Sequence, residues 1–67
     1  MLKIILNNNM ILAYAITDNT NKSIYFKDLE GYTYKLDKQT NRVYDFIDGS
    51  WRYMENLTNM MNDFVVL

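Results

Sequence analysis

The pair Asp48 and Gly49 constrains this chain more than any other feature, because it lies between two runs of residues that favour β-strands. A two-residue hairpin loop of type I′ needs positive φ angles at both central positions, which Gly adopts freely and Asp tolerates. The pair therefore predicts a β-hairpin formed by residues 42–47 and 50–54. Because so short a loop sets the register, Asp45 is expected opposite Arg52.

The predicted register gives the hairpin two different faces. Cross-strand partners share a face of the sheet, so one face becomes a ladder of large rings: Tyr44, Phe46, Trp51 and Tyr53. The opposite face carries apolar residues around the charge pair of Asp45 and Arg52. A ladder of this kind is either a binding surface or part of the core.

Alternating apolar and polar residues, separated by Asn- and Gly-containing turns, predict four earlier strands. These strands span residues 2–6, 10–17, 23–28 and 32–37. Residues 10–17 are apolar on both sides, which favours a strand covered on both faces, with a helix as the rival interpretation. A four-residue loop after residue 37 places Tyr25, Lys27 and Lys35 on the same face as the ring ladder. One slip or bulge in that loop reverses the assignment.

The period of the apolar residues changes after Glu55. Apolar side chains fall at helical spacing in Leu57, Met60, Met61, Phe64 and Val65. This spacing predicts a helix over residues 56–65 with Asn56 as its N-cap. The predicted fold class is a single β-rich α+β domain, residues 1–67. It is an antiparallel meander of five to six strands, as an open sheet or a small barrel, with one C-terminal helix.

The missing residue types limit the chemistry. The 67 residues include no Cys and no His, which excludes disulfides, the common zinc sites and any Cys or His nucleophile or general base. Most of the eight acidic residues lie in turns or at strand ends, where carboxylates form local hydrogen bonds. We therefore expect no enzyme, no cofactor and no metal site.

Charge and hydropathy restrict the partners and the location. The formal net charge of −1 argues against a basic nucleic-acid-binding protein. The apolar run at residues 1–6 is interrupted by three asparagines before it reaches the length of a signal sequence. No stretch approaches the roughly 20 apolar residues of a membrane span. The expected location is the cytoplasm.

The surplus of aromatic residues favours binding over catalysis. Trp, Tyr and Arg dominate the energetics of protein interfaces. The candidate partner-binding residues are Tyr25, Lys35, Tyr44, Trp51, Arg52 and Tyr53. Against this, large rings are usually core residues, and the Asp45–Arg52 pair is favoured as an ordinary cross-strand ion pair.

We expect a small non-enzymatic protein-binding module. In this interpretation it is an inhibitor from a phage or mobile element that covers the surface of a host protein of defence, replication or transcription. One alternative is a small barrel that binds single-stranded nucleic acid by stacking bases on its rings. Another is a structural or self-assembling virion-type protein or homo-oligomer, suggested by the apolar residues 65–67.

Overall fold

The computed structural model describes residues 1–67 and contains seven β-strands and one short helix. In chain order the elements are β1 (Leu2–Leu6), β2 (Ile11–Asn19), β3 (Ser23–Lys27), β4 (Thr33–Asp37), β5 (Val43–Ile47), β6 (Ser50–Tyr53), α1 (Glu55–Met60) and β7 (Met61–Val66). All strands form one antiparallel sheet in the order β6-β5-β4-β3-β2-β1-β7. The first six strands are a meander, and β7 returns to pair with β1. The sheet thus has one strand more than the five or six that the sequence predicts.

The hairpin of β5 and β6 has the predicted turn and register. Asp48 and Gly49 have φ angles of 51° and 82°, and Asp45 pairs with Arg52. Asn41, with a φ of 59°, closes the loop before β5 in the left-handed conformation, which Asn tolerates. Turn residues therefore decide which side chains of the hairpin share a face.

The predicted helix over residues 56–65 is wrong in its second half. The helix α1 ends at Met60, and the chain continues as strand β7 along β1. A register irregularity beside Leu6 lets both Met61 and Phe64 contact the core, although they are three residues apart. This spacing resembles that of a helix, and the irregular register is its physical cause.

The short helix is held by its surroundings, because isolated helices of this length are not stable. Asn56 is not the N-cap, since α1 begins one residue earlier and has no side-chain cap. The Val43 N–H donates to Thr58 Oγ1 at 3.0 Å, and the Asn7 N–H donates to the Met60 carbonyl at 2.8 Å. These bonds tie α1 to β5 on one side and to the end of β1 on the other.

The sheet curls around its inner face. The six residues of α1 rise only about 9 Å, yet they connect β6 to β7, which are the two edges of the sheet. In a flat sheet, six strand spacings of about 4.8 Å would separate these edges by roughly 29 Å. The curl gathers inner-face side chains from four strands into one core: Leu2, Ile4, Leu6, Ile24, Phe26, Leu36 and Val43. The edges do not pair with each other, so the sheet stays open.

The outer face of the sheet has no covering layer. The prediction that residues 10–17 are covered on both faces is wrong, because Leu12 and Tyr14 pack against the core while Ile11 is 58% exposed. Of the apolar residues 65–67, the first two belong to β7, and Leu67 is 70% exposed. Any function of the outer face therefore concerns side chains that face solvent.

Candidate binding surface

The rings of the predicted ladder lie together on the outer face of β5 and β6. Tyr44 pairs with Tyr53, and Phe46 pairs with Trp51. Their ring centroids are 5.8 Å and 5.0 Å apart, within the usual range for aromatic pairs. We call the outer-face surface that these rings form with two residues of β3 and β4 the aromatic face: Tyr25, Lys35, Tyr44, Phe46, Trp51 and Tyr53.

The register of the central strands brings Tyr25 and Lys35 to this surface. Tyr25 pairs with Lys35, and Lys35 pairs with Tyr44. The loop before β5 therefore leaves Tyr25 and Lys35 on the same face as the rings, as predicted. The ring centroids of Tyr25 and Trp51 lie 5.9 Å apart, although β4 and β5 separate their strands. The aromatic face is therefore one continuous layer of side chains across four strands.

Two cations pack against the rings. The Lys35 Nζ lies 4.5 Å from the ring centroid of Trp51 and 5.1 Å from that of Tyr44. The Arg42 Cζ lies 5.4 Å from the ring centroid of Tyr53. Contacts of this kind contribute about 0.5–1 kcal/mol each at exposed sites. They restrict the rings to a defined arrangement before any partner binds.

The rings are exposed and carry unused polar groups. Phe46 is 42% exposed and Tyr53 is 44% exposed, and the other three rings are half-buried. Of the six tyrosine hydroxyls, only that of Tyr34, on the inner face, is hydrogen-bonded within the protein. The helix packs on the opposite side of the sheet, where Leu57 contacts the core. The aromatic face is therefore not the core beneath the helix.

Arg52 is the one candidate residue that lies on the other face. Its Nε and Nη2 donate to the two carboxylate oxygens of Asp45 at 3.1 Å and 2.7 Å. Asp45 is buried, and its hydrogen-bonded carboxylate raises the pKa of Arg52. The guanidinium fork is thus engaged within the hairpin, and we do not include Arg52 in the aromatic face.

Sequence reasoning missed a hydrogen-bonded cluster at the turn between β3 and β4. The Tyr34 hydroxyl donates to Asp28 Oδ2 at 2.7 Å, and Asp28 Oδ1 accepts the N–H groups of Glu30 and Tyr32. These hydrogen bonds, led by that from Tyr34, lower the pKa of Asp28. Burial, followed by the hydrogen bond to Asp28, raises the pKa of Tyr34. At neutral pH the pair is a charged acceptor and a neutral donor, which stabilises the turn.

An open groove of about 460 Å³ lies beside this turn, between β2 and the loop that begins at Asp28. Its walls are mostly apolar, and Leu29 at the loop tip is fully exposed. No group of three or more acidic side chains converges in the structure. The groove is thus a second exposed apolar feature, separate from the aromatic face.

The fold and this surface together define a small β-meander domain with an exposed aromatic face. Comparisons of the chain with protein-family models, with curated proteins and with solved structures find no match. The structure has no helix of the length and apolarity needed to cross a membrane.

Proposed function

We propose that the protein is a non-enzymatic protein-binding module whose aromatic face covers the surface of a partner protein. The observation that carries the proposal is a layer of five rings, two exposed and three half-buried, on a sheet face without a covering layer. Contiguous exposed apolar patches often mark interaction sites, and Trp and Tyr supply much of the energy of protein interfaces.

The arrangement of the rings supports binding with little ordering cost. Trp51 contacts Phe46 on the neighbouring strand and Tyr25 across the sheet, while Lys35 packs against its ring. Side chains that are already restricted lose less conformational entropy on association. The free hydroxyl of Tyr44 adds a polar group that can orient a partner. That the partner is a host protein, and that binding inhibits it, are predictions from the sequence within this proposal.

Site-specific photo-crosslinking tests where the partner binds. We place the photoreactive residue p-benzoylphenylalanine at Phe46 on the aromatic face, or at Met60 on α1, and irradiate producing cells. Met60 is a matched control, because it is 46% exposed and lies on a different surface. We expect a discrete crosslinked protein from the Phe46 position that is absent from the Met60 position. Identical crosslinks from both positions would contradict the proposal.

The purified partner then gives a quantitative test. If Trp51 is an interface hot spot, Trp51→Ala should weaken binding by about 2 kcal/mol, or roughly 30-fold in Kd. Met60→Ala should leave the Kd unchanged. Urea unfolding of both variants shows whether they are folded under the binding conditions. A folded Trp51→Ala variant with wild-type affinity would remove the aromatic face from the interface.

A second candidate function is the binding of single-stranded nucleic acid. The observation that favours it is the presence of Lys27 and Lys35 beside the rings on the outer face. Bases stack on such rings, and lysines contact phosphates, so affinity would fall steeply with salt. Titration with decathymidylate at low and physiological ionic strength tests this function directly.

A further inference from the structure

The ammonium group of Lys35 has no anionic partner in the protein. It is half-buried between the rings of Tyr44 and Trp51 and donates no hydrogen bond to a protein atom. Two other cations have partners within the protein: Lys38 Nζ donates to Asn19 Oδ1 at 2.7 Å and to a backbone carbonyl, and Arg52 forms the single ion pair of the structure. The three N–H donors of Lys35 are thus available to a ligand.

The charges of the molecule are unevenly distributed around this group. Lys27, Lys35 and Arg42 lie on or beside the outer face of β3 to β6, together with Asp37 at the end of β4 and with Asp18 and Asp48 at the borders of this face. Asp37 caps its own turn, because its Oδ1 accepts two backbone N–H groups. The rest of the protein holds four basic and five acidic residues. The charge of Lys35 therefore lies in the middle of the aromatic face, and the acidic residues lie at its borders.

We infer that the aromatic face binds an acidic segment of the partner protein, with a carboxylate on the Lys35 ammonium and apolar groups against Trp51 and Tyr44. This inference rests on the proposed function and specifies the chemistry of the partner. The π faces of both rings already interact with the ammonium of Lys35, so a second cation at this place would be repelled. A carboxylate accepts the free donors and complements the charge of Lys35.

The positions of the acidic residues favour a short acidic segment over a nucleic-acid strand. Asp18 pairs with Tyr25 at one border of the aromatic face, and Asp48 lies in the turn next to Phe46 and Trp51. Like charges closer than the Debye length of about 8 Å at physiological salt repel one another with little screening. Lys35 lies two strand spacings, about 10 Å, from the strand of Asp18, so a carboxylate placed over Lys35 stays beyond this distance, whereas a chain of phosphates crossing the face would not.

Titrations with three defined ligands test the inference. The ligands are hexaglutamate with blocked termini, hexaglutamine as its uncharged match, and decathymidylate. Binding is followed by NMR shifts of backbone amides and of the Trp51 indole N–H in the wild type and in three variants. Lys35→Gln removes the charge, Lys35→Arg keeps it, and Lys22→Gln is a control in the turn between β2 and β3.

We expect hexaglutamate to shift resonances of the aromatic face and hexaglutamine to leave them unchanged. Lys35→Gln should weaken this binding about fivefold, as expected for the loss of one exposed ion pair, while the other two variants should bind as the wild type does. Unchanged affinity of Lys35→Gln, or no shifts with hexaglutamate, overturns the inference. The proposed function still stands in that case if photo-crosslinking at Phe46 captures a partner. Tighter binding of decathymidylate than of hexaglutamate at the same face overturns both.

Discussion

Alanine substitution of two phenylalanines tests the assignment of the two faces of the sheet. Phe26 on β3 is fully buried, with the ring centroids of Tyr14 and Tyr34 at 4.9 Å and 5.3 Å. Phe46 lies on the outer face of β5 and is 42% exposed. The chemical change is the same at both positions, so a difference in stability reports the difference in environment.

Phe26→Ala should lower the free energy of unfolding several times more than Phe46→Ala does. Truncation of a buried phenylalanine costs about 3–5 kcal/mol, because burial is lost and a cavity remains. Phe46→Ala removes only part of a burial energy of about 1.5–3 kcal/mol and opens no cavity, so we expect a loss of about 1 kcal/mol. A domain of 67 residues has a total stability of roughly 3–10 kcal/mol. Phe26→Ala therefore removes a large fraction or all of it.

Urea unfolding followed by circular dichroism measures both effects. With a slope near 1 kcal/mol per molar urea for so small a protein, Phe46→Ala should lower the midpoint by about 1 M. Phe26→Ala should have little or no native baseline. Phe26→Leu, which preserves most of the volume, should give a measurable transition with a loss of about 1.5 kcal/mol. Equal losses for the two alanine variants would refute the assignment of inner and outer faces.

Two further predictions concern the turns. Gly49→Ala places a Cβ at a φ of +82°, which costs about 1 kcal/mol and should lower the Tm by about 4–8 °C in a thermal melt; an unchanged Tm would show that the turn is not strained by the substitution. The pKa of Asp28 is lower in the folded protein than in the unfolded chain, where an aspartate has a pKa of about 4. The stabilisation by the Asp28 carboxylate is therefore present above this pH and is lost as the pH falls through the folded-state pKa. Because the folded-state pKa of Tyr34 is raised, its contribution is complete below pH ~10 and is lost as the pH rises further. Urea midpoints across pH should therefore lose part of their acid dependence in Asp28→Asn and part of their alkaline dependence in Tyr34→Phe. Profiles that superimpose on the wild type would contradict the role of this pair.

The parts of the fold that depend on local chemistry could be predicted from the sequence. The turn at Asp48 and Gly49 needs only residues that accept positive φ angles, and the two-residue period then assigns each side chain of the hairpin to a face. The strand β7 could not be predicted in this way, because its conformation depends on pairing with β1 at the other end of the chain. The spacing of Met61 and Phe64 fitted a helix, and only the irregular register against Leu6 explains it as a strand.

In the candidate site, too, some features follow from the local sequence and others depend on tertiary structure. The membership of Tyr44, Trp51 and Tyr53 in one face followed from alternation along two strands. The contact between Tyr25 and Trp51 could not be foreseen, because it depends on the twist of four strands and on side-chain rotamers. The place of Lys35 between two rings is set by the same twist. Alternation therefore indicates which residues share a surface, and tertiary structure decides which of them touch.

The pairing of β1 with β7 has a consequence for how the chain reaches this fold. The Met1 ammonium donates to the Leu67 carbonyl at 2.9 Å, so this pair joins residues 66 positions apart in the chain. Contacts between such distant residues have the largest loop-closure cost and tend to form late. Until β7 pairs with β1, the edge of β1 has unpaired backbone N–H and C=O groups. The side chains of Leu2 and Ile4 beside these groups are also not yet fully buried. An exposed apolar edge is a template for intermolecular strand pairing, which makes β1 the strand most vulnerable to aggregation during refolding.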